Sequence, residues 1–265
     1  VYDRLTGTTF LASSAVDSKK PDDSSGTPSI SADGNLVAFY SEATNLLADP
    51  APSGMIYVHD MATKITTMAS VDNEGNPAAK SCYLPTISGN GRYVAFSTDA
   101  ALVPEDTNGK WDVSLRDLRE GTTILVSQNA TAINGGNYDS SFPMLSFDGA
   151  FALFTTWATD LIPGDTADDY ADIYLAHAGG GIEKISNTPE GQNGGDSLLP
   201  ALPASNRFIV SESGGQLVPE DQNDSVDVYR FDRETGTLTC LTVDPNFNEG
   251  CSDEGDTCLP RHGPG

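Results

Sequence analysis

One stretch of this chain recurs, and that recurrence limits the fold more than any other feature. Pro85–Ser127 reads PTISGNGRYVAFSTDAALVPEDTNGKWDVSLRDLREGTTILVS, and related stretches run over Pro28–Ser70, Pro143–Ser186 and Pro200–Thr242. The leading prolines Pro28, Pro85, Pro143 and Pro200 are 57, 58 and 57 residues apart. A period of that size marks one supersecondary unit per repeat, each needing neighbours to keep its apolar faces dry.

Each unit reads as four short strands. In the second they fall over roughly Pro85–Ser88, Tyr93–Thr98, Trp111–Asp117 and Thr123–Ser127. Asn90-Gly91, Asp33-Gly34 and Asp148-Gly149 stand between the first two runs, and such pairs accept the positive φ of a tight hairpin. The fourth unit has the weaker turn Ser205-Asn206 there. The second runs, such as Leu36-Val37-Ala38-Phe39 and Tyr93-Val94-Ala95-Phe96, are nearly continuous in apolar residues, as strands covered on both faces are. The third runs alternate, as in Ile56–Asp60 and Val228–Asp232, which predicts a strand nearer the rim with one wet face. Four strands in a unit too small to bury its own faces describe a propeller blade. The competing β-solenoid has shorter coils. The expected fold is all-β.

These residues also carry a family resemblance. The pattern Pro-x-[Ile/Leu]-Ser-x-[Asp/Asn]-Gly with a following apolar strand, then Leu-Val-Pro-x-Asp-[Thr/Gln]-Asn, then Asp-[Val/Ile]-[Tyr/Ser]-x-x-Asp, resembles TolB-type β-propeller repeats, especially the longer variants of secreted and cell-surface proteins. It spans almost the whole chain. The resemblance implies the fold and says little about function, because such propellers serve as interaction platforms, as domains beside hydrolases and as structural modules.

One propeller domain is expected over residues 1–265, with full blades at 28–70, 85–127, 143–186 and 200–242. Val1–Ser13 aligns with Ile56–Ser70, so the chain starts on the third and fourth strands of a blade. Residues 243–265 read as a loop and the start of a further strand, since Cys258-Leu259-Pro260 matches Cys82–Pro85. A fifth blade would then be split between the termini and incomplete. Three readings follow: a fragment of a larger propeller, a ring closed by a poor fifth blade, or a blade completed by a strand from another chain.

The formal net charge is −24, from 38 acidic and 14 basic residues. That sign argues against nucleic acid and anionic membrane surfaces as partners and favours cations or basic partners. No apolar run approaches the roughly 18 residues that cross a bilayer. Abundant Ser, Thr, Asn and Gly with few Lys read as an extracellular or cell-surface location, or a periplasmic one. Asn129-Ala130-Thr131 and Asn223-Asp224-Ser225 fit the glycosylation sequon. Among four cysteines, Cys251 and Cys258 flank a Gly- and Asp-rich loop and are expected to form a disulfide, with Cys82 and Cys240 paired or free.

The loop between the second and third strands is the strongest candidate site. It places Asp106, Asn108 and Asp112 in unit two, Asp165, Asp169 and Asp172 in unit three, and Asp221, Asn223 and Asp227 in unit four. Ca²⁺ takes six to eight oxygen ligands, and these turns offer several. The spacing is not that of an EF-hand. The competing reading is Asx-turn chemistry, in which the same side chains cap their own backbone. Unit one reads Asp49-Pro50-Ala51-Pro52 here and has lost the pattern.

Asp60, Asp117 and Asp232 are expected to cap turns, Arg116 and Arg230 to be exposed, and Ser31, Ser88 and Ser146 to bond to backbone in the inner ring. His59 and His177 align in third strands and read as strand-surface residues. No Gly-x-Ser-x-Gly elbow is present. Five-bladed propellers house glycosidases with paired carboxylates at the channel, but the first strands here carry Ser, Thr, Ile and Leu. The expectation is therefore a binding or structural module without catalysis, possessing a protein or glycan partner and Ca²⁺ as cofactor. A filament subunit self-associating through the incomplete blade and a glycan-acting hydrolase are the alternatives.

Overall fold

The computed structural model describes residues 1–15, 20–165, 169–189, 194–223 and 225–242. The expected Cys251–Cys258 disulfide lies outside the described residues. The described chain forms four four-stranded antiparallel sheets and one two-stranded hairpin. The hairpin is β1 (Tyr2–Asp3) with β2 (Thr8–Thr9), the last two strands expected at this end. Blade one comprises β3 (Ser25–Ile30), β4 (Leu36–Ser41), β5 (Met55–Asp60) and β6 (Thr66–Met68). Blade two comprises β7 (Cys82–Ile87), β8 (Tyr93–Thr98), β9 (Asp112–Asp117) and β10 (Thr122–Leu125). Blade three has β11 (Ser140–Leu145), β12 (Phe151–Thr156), β13 (Asp172–His177) and β14 (Ile182–Lys184). Blade four has β15 (Ser197–Ala201), β16 (Phe208–Ser213), β17 (Asp227–Asp232) and β18 (Thr237–Cys240). Within each blade the strands pair in chain order, and the four first strands share one central cavity. This is a β-propeller. No helix among the described residues is long and apolar enough to cross a membrane.

The core lies between blades. Phe39 and Tyr57 of blade one pack with Val94 and Phe96 of blade two, and Val113 and Leu115 of blade two pack with Phe154 and Tyr174 of blade three. Leu153 and Ile173 of blade three meet Ile209 of blade four. The third strands β5, β9 and β13 are therefore buried on both faces, not wet on one as their alternation suggested. Only β17 alternates in burial, and Val226 and Val228 are exposed beside it.

Hairpin turns join one blade to the next. The Ala32 N–H donates to the Gly89 carbonyl at 2.9 Å, and the Asn90 N–H to the Phe147 carbonyl at 2.8 Å. The Phe147 N–H donates to Asn206 Oδ1 at 3.1 Å. Gly149 has φ +72°, and a Cβ there would strike the Tyr93 ring of the neighbouring blade. The same turns explain Ser31, Ser88 and Ser146. Each hydroxyl donates to the Asp33, Asn90 or Asp148 side chain and accepts the N–H that opens the second strand.

The first strands begin earlier than their prolines suggested. Cys82 pairs with Thr98 and Tyr83 with Ser97, then Leu84 and Pro85 bulge out opposite one residue before pairing resumes at Thr86. The same shift occurs at Thr27-Pro28, Phe142-Pro143 and Leu199-Pro200. Proline has no N–H to give a ladder, so an inner-edge bulge suits it.

Candidate functional site

The bulges place a ring of side chains on the propeller axis. Thr27, Leu84, Phe142 and Leu199 have φ of 44°, 52°, 54° and 50°, a left-handed backbone that non-glycine residues seldom adopt. Each precedes a proline. Backbone held this way costs of order 1–3 kcal/mol per residue and persists where the surrounding sheet enforces it, often at ligand clamps. With their prolines and Ser29, Thr86 and Met144, these residues line a cavity of about 390 Å³. Phe142 is 38% exposed and Leu199 57%. Sequence reasoning located the prolines but not the bulge, because nothing in an apolar-Pro pair signals a positive φ. No carboxylate lines this cavity, so the channel carboxylate pair expected of a glycosidase is not among its lining residues.

Beside the ring runs an aromatic row. Tyr83 stacks on Tyr40 of blade one with ring centroids 5.1 Å apart, and meets Trp111 in a tilted contact with centroids 5.5 Å apart. The row crosses a blade boundary and occurs once, so the repeat gave no hint of it.

The acidic loops are built as struts. In blade two Asn108 Nδ2 donates to Asp112 Oδ2 at 2.7 Å and to the Gly136 carbonyl at 2.8 Å. The Ser127 hydroxyl donates to Asp112 Oδ1 at 2.6 Å. Burial outweighs these hydrogen bonds and pushes the Asp112 carboxyl up to about 7. Blade four repeats the arrangement: Asn223 Nδ2 donates to Asp227 Oδ2 at 3.1 Å, and Thr242 takes the place of the serine. Blade three uses Lys184 instead, whose ammonium reaches Asp172 at 2.6 Å and Asp165 at 3.1 Å. Burial works to lower this lysine's pKa, but the two carboxylates prevail and hold it above the ordinary value. Asp169 is exposed and stands apart from that pair.

A tyrosine completes two of the struts. The Tyr229 hydroxyl donates to Asp221 and the Tyr174 hydroxyl to Asp165. In blade two this third-strand position is Ser114, and Asp106 is buried with the backbone N–H of Asn108 as a donor. In blade one the tyrosine is Tyr57, and its hydroxyl is buried without a hydrogen-bond partner among the described residues. The recurrence of tyrosine at 57, 174 and 229 was visible in the repeat and was missed. No three His, Cys, Asp or Glu side chains among the described residues are grouped to hold a metal ion.

Several smaller expectations change. His59 is buried, not on the surface, and its Nδ1 lies 2.9 Å from Thr66 Oγ1. His177 is exposed beside Glu183. Arg116 is half-buried and donates to the Asp72 carbonyl and Thr123. Arg230 lies over the Phe208 ring, 4.9 Å from its centroid. Asp60, Asp117 and Asp232 do cap their turns, and Asp117 and Asp232 also hold Arg92 and Arg207. Cys82 and Cys240 are both free. Burial raises the Cys82 thiol to about 11, which leaves it unreactive.

No protein-family model matches the chain, and no curated protein matches it. Solved structures do. The crystal structure of the tricorn protease matches 90% of this chain over 24% of its own, at 12% identity and a TM-score of 0.51. A puromycin hydrolase matches 82% over 28% of its own, at 10% identity and 0.45. The extracellular domain of a hybrid two-component system from B. thetaiotaomicron matches 85% over 24% of its own, at 9% identity and 0.43. The chain thus spans about a quarter of the length of these structures. The expectation that this chain is without catalysis is corrected: the same fold occurs in the tricorn protease, so the fold gives no ground for setting enzymes aside. At such identities the likeness establishes the β-propeller fold and nothing finer.

Proposed function

We propose that this chain is a TolB-type propeller module, extracellular or at a cell surface, that binds a protein or glycan partner on its axial face. The observation that carries this reading is the ring of four strained bulges, Thr27, Leu84, Phe142 and Leu199, which line a shared cavity with three apolar side chains and a threonine. Left-handed non-glycine residues cluster at ligand clamps and persist where the surrounding structure enforces them, which supports a binding role for this ring. The TolB assignment is supported by the repeated residue pattern, and the location by composition. The module reading is compatible with catalysis elsewhere in a longer chain, as the neighbouring tricorn protease spans far more than the matched part.

The Asp and Asn residues of the loops are read here as struts. A calcium ion at Asp106, Asn108 and Asp112 or at their counterparts would have to displace the hydrogen bonds already made there. Melting in EDTA and in CaCl₂ separates the two, with an unchanged midpoint expected. A rise of several degrees in calcium would restore the metal.

The binding reading is tested by probing peptide and oligosaccharide arrays with the labelled chain and with Phe142→Ser. Signals lost in the variant, with its melting curve intact, support the axial face. Signals indifferent to the substitution, or none at all, count against it.

A further inference from the structure

We propose that the axial face takes a cationic peptide segment, which seats an apolar side chain in the ring formed by Thr27, Leu84, Phe142 and Leu199. This rests on the module reading above and adds the partner's chemistry.

Two sets of loops meet at the end where the first strands begin: the linkers into β3, β7, β11 and β15, and the loops between second and third strands. Backbone bonds join them, Cys82 N–H to Gly54, Ser140 N–H to Trp111 and Ser197 N–H to Ala171. Every one of these linkers and loops carries an Asp or Glu. Asp23, Asp49, Glu105, Asp139, Asp169 and Asp196 are exposed. The described basic residues in the same loops are Lys20, Lys80 and Lys110, and Lys80 is already held by Asp99 at 2.8 Å. At the opposite end the hairpin turns hold Lys64, Arg92, Arg119, Arg207 and Arg233 against Asp33, Asp60, Asp117, Glu120, Asp148, Asp232 and Glu234, so that end is much closer to balance. The end where the first strands begin is therefore the more negative one, and the bulged ring lies two residues below it. Such a field draws cations and repels anions over about a Debye length, roughly 10 Å at 0.1 M salt.

The second element is the apolar ring. It lies two residues into the first strands, about 7 Å below the loop rim at the ordinary strand rise. Its lining is Pro, Leu, Phe, Met, Thr and Ser29, with no charged group. A bare metal ion or a free polyamine would gain nothing from that surface. A peptide with one apolar side chain among lysines or arginines satisfies both levels, the side chain in the ring and the charges on the rim. The row Tyr40–Tyr83–Trp111 leads from the ring towards the rim, and Tyr83 is 39% exposed. Aromatic faces attract ammonium and guanidinium groups, so the row extends the same preference. A neutral glycan would use the aromatic row but not the acidic rim.

Fluorescence anisotropy would test this with a labelled peptide of lysine and arginine carrying one leucine. Its controls are a twin with serine for the leucine, a twin with glutamate for every basic residue, and a labelled neutral oligosaccharide. The basic peptide is expected to bind, at least fivefold tighter than its serine twin, with the glutamate twin silent. Affinity should fall about tenfold between 0.1 M and 1 M salt, where the Debye length shrinks from about 10 Å to about 3 Å. Leu199→Ser, at an exposed position, should weaken binding at least fivefold without moving the melting curve, and Thr27→Gly serves as a second variant. Binding that ignores the leucine and Leu199→Ser would be adhesion to acidic surface and would overturn the proposal. Binding of the oligosaccharide or the glutamate twin alone, lost on Leu199→Ser, would overturn the cationic partner and leave the axial face standing. If neither Leu199→Ser nor Thr27→Gly alters the binding of any probe, both readings fall.

Discussion

Blade one and blade four bury the same tyrosine, and only blade four gives its hydroxyl a partner. Tyr229 donates to Asp221 and accepts from the Leu217 N–H, which ties the third strand to the loop above it. Tyr57 sits at the equivalent place with its hydroxyl unpaired among the described residues, because the loop of blade one runs through Pro50 and Pro52 and its Asp49 is exposed. Blade two shows the reverse loss, a buried Asp106 facing Ser114. The blades therefore share one backbone plan but not one set of polar contacts. What blade one lacks in struts it offsets with packing: Phe39, Leu46, Met55, Ile56 and Tyr57 sit in the largest core cluster. Met55 occupies the position that is Asp112, Asp172 and Asp227 elsewhere.

The comparison breaks most sharply in blade three. Lys184→Met leaves Asp165 and Asp172 buried without their cation and should cost about 3–5 kcal/mol, read as a lower denaturation midpoint. A loss under 1 kcal/mol would mean the ion pair is no strut. Tyr229→Phe removes the donor to a buried Asp221 and should cost about 1–3 kcal/mol. Asp112 sharpens the contrast through pH. Its folded carboxyl is raised to about 7, so the folded state keeps a proton that the unfolded chain loses near pH 4. Its stabilising contribution is full below about pH 4 and is lost as pH rises through about 7. Asp112→Asn should flatten the fall in melting temperature over that window, and an unaltered pH profile would remove the assignment. The smallest effect is expected in blade one. Tyr57→Phe deletes a hydroxyl with nothing to bond and should leave stability within about 0.5 kcal/mol or raise it slightly. If Tyr57→Phe costs as much as Tyr229→Phe, the difference between the two blades is not real.

Much of the architecture was legible in the residues. The Asn-Gly and Asp-Gly turns and the apolar second strands reported local chemistry, and local chemistry repeats. The third strands misled because Ile56–Asp60 alternates in sequence, whereas both its faces are covered by neighbours that only the ring supplies. His59 was misplaced for the same reason. At the loops Asx-type bonding joins Asn108 to Asp112 and Asn223 to Asp227, but the tyrosine from the third strand lies several residues away and went unnoticed. The axial ring was half visible: the prolines stood out as a ruler, while the bulge around them is a property of pairing, set by which strand opposes which.

The turn-to-turn bonds from Ala32 to Gly89 and from Asn90 to Phe147 carry a consequence for how such a chain arises. Both partners in each bond belong to hairpins that every sheet needs for its own sake. A duplicated gene segment would therefore bring its coupling with it, donor on one side and acceptor on the other. Growth by whole blades requires no invention at the seam, which leaves individual blades free to differ in their inner polar contacts, as they do at Tyr57 and Ser114.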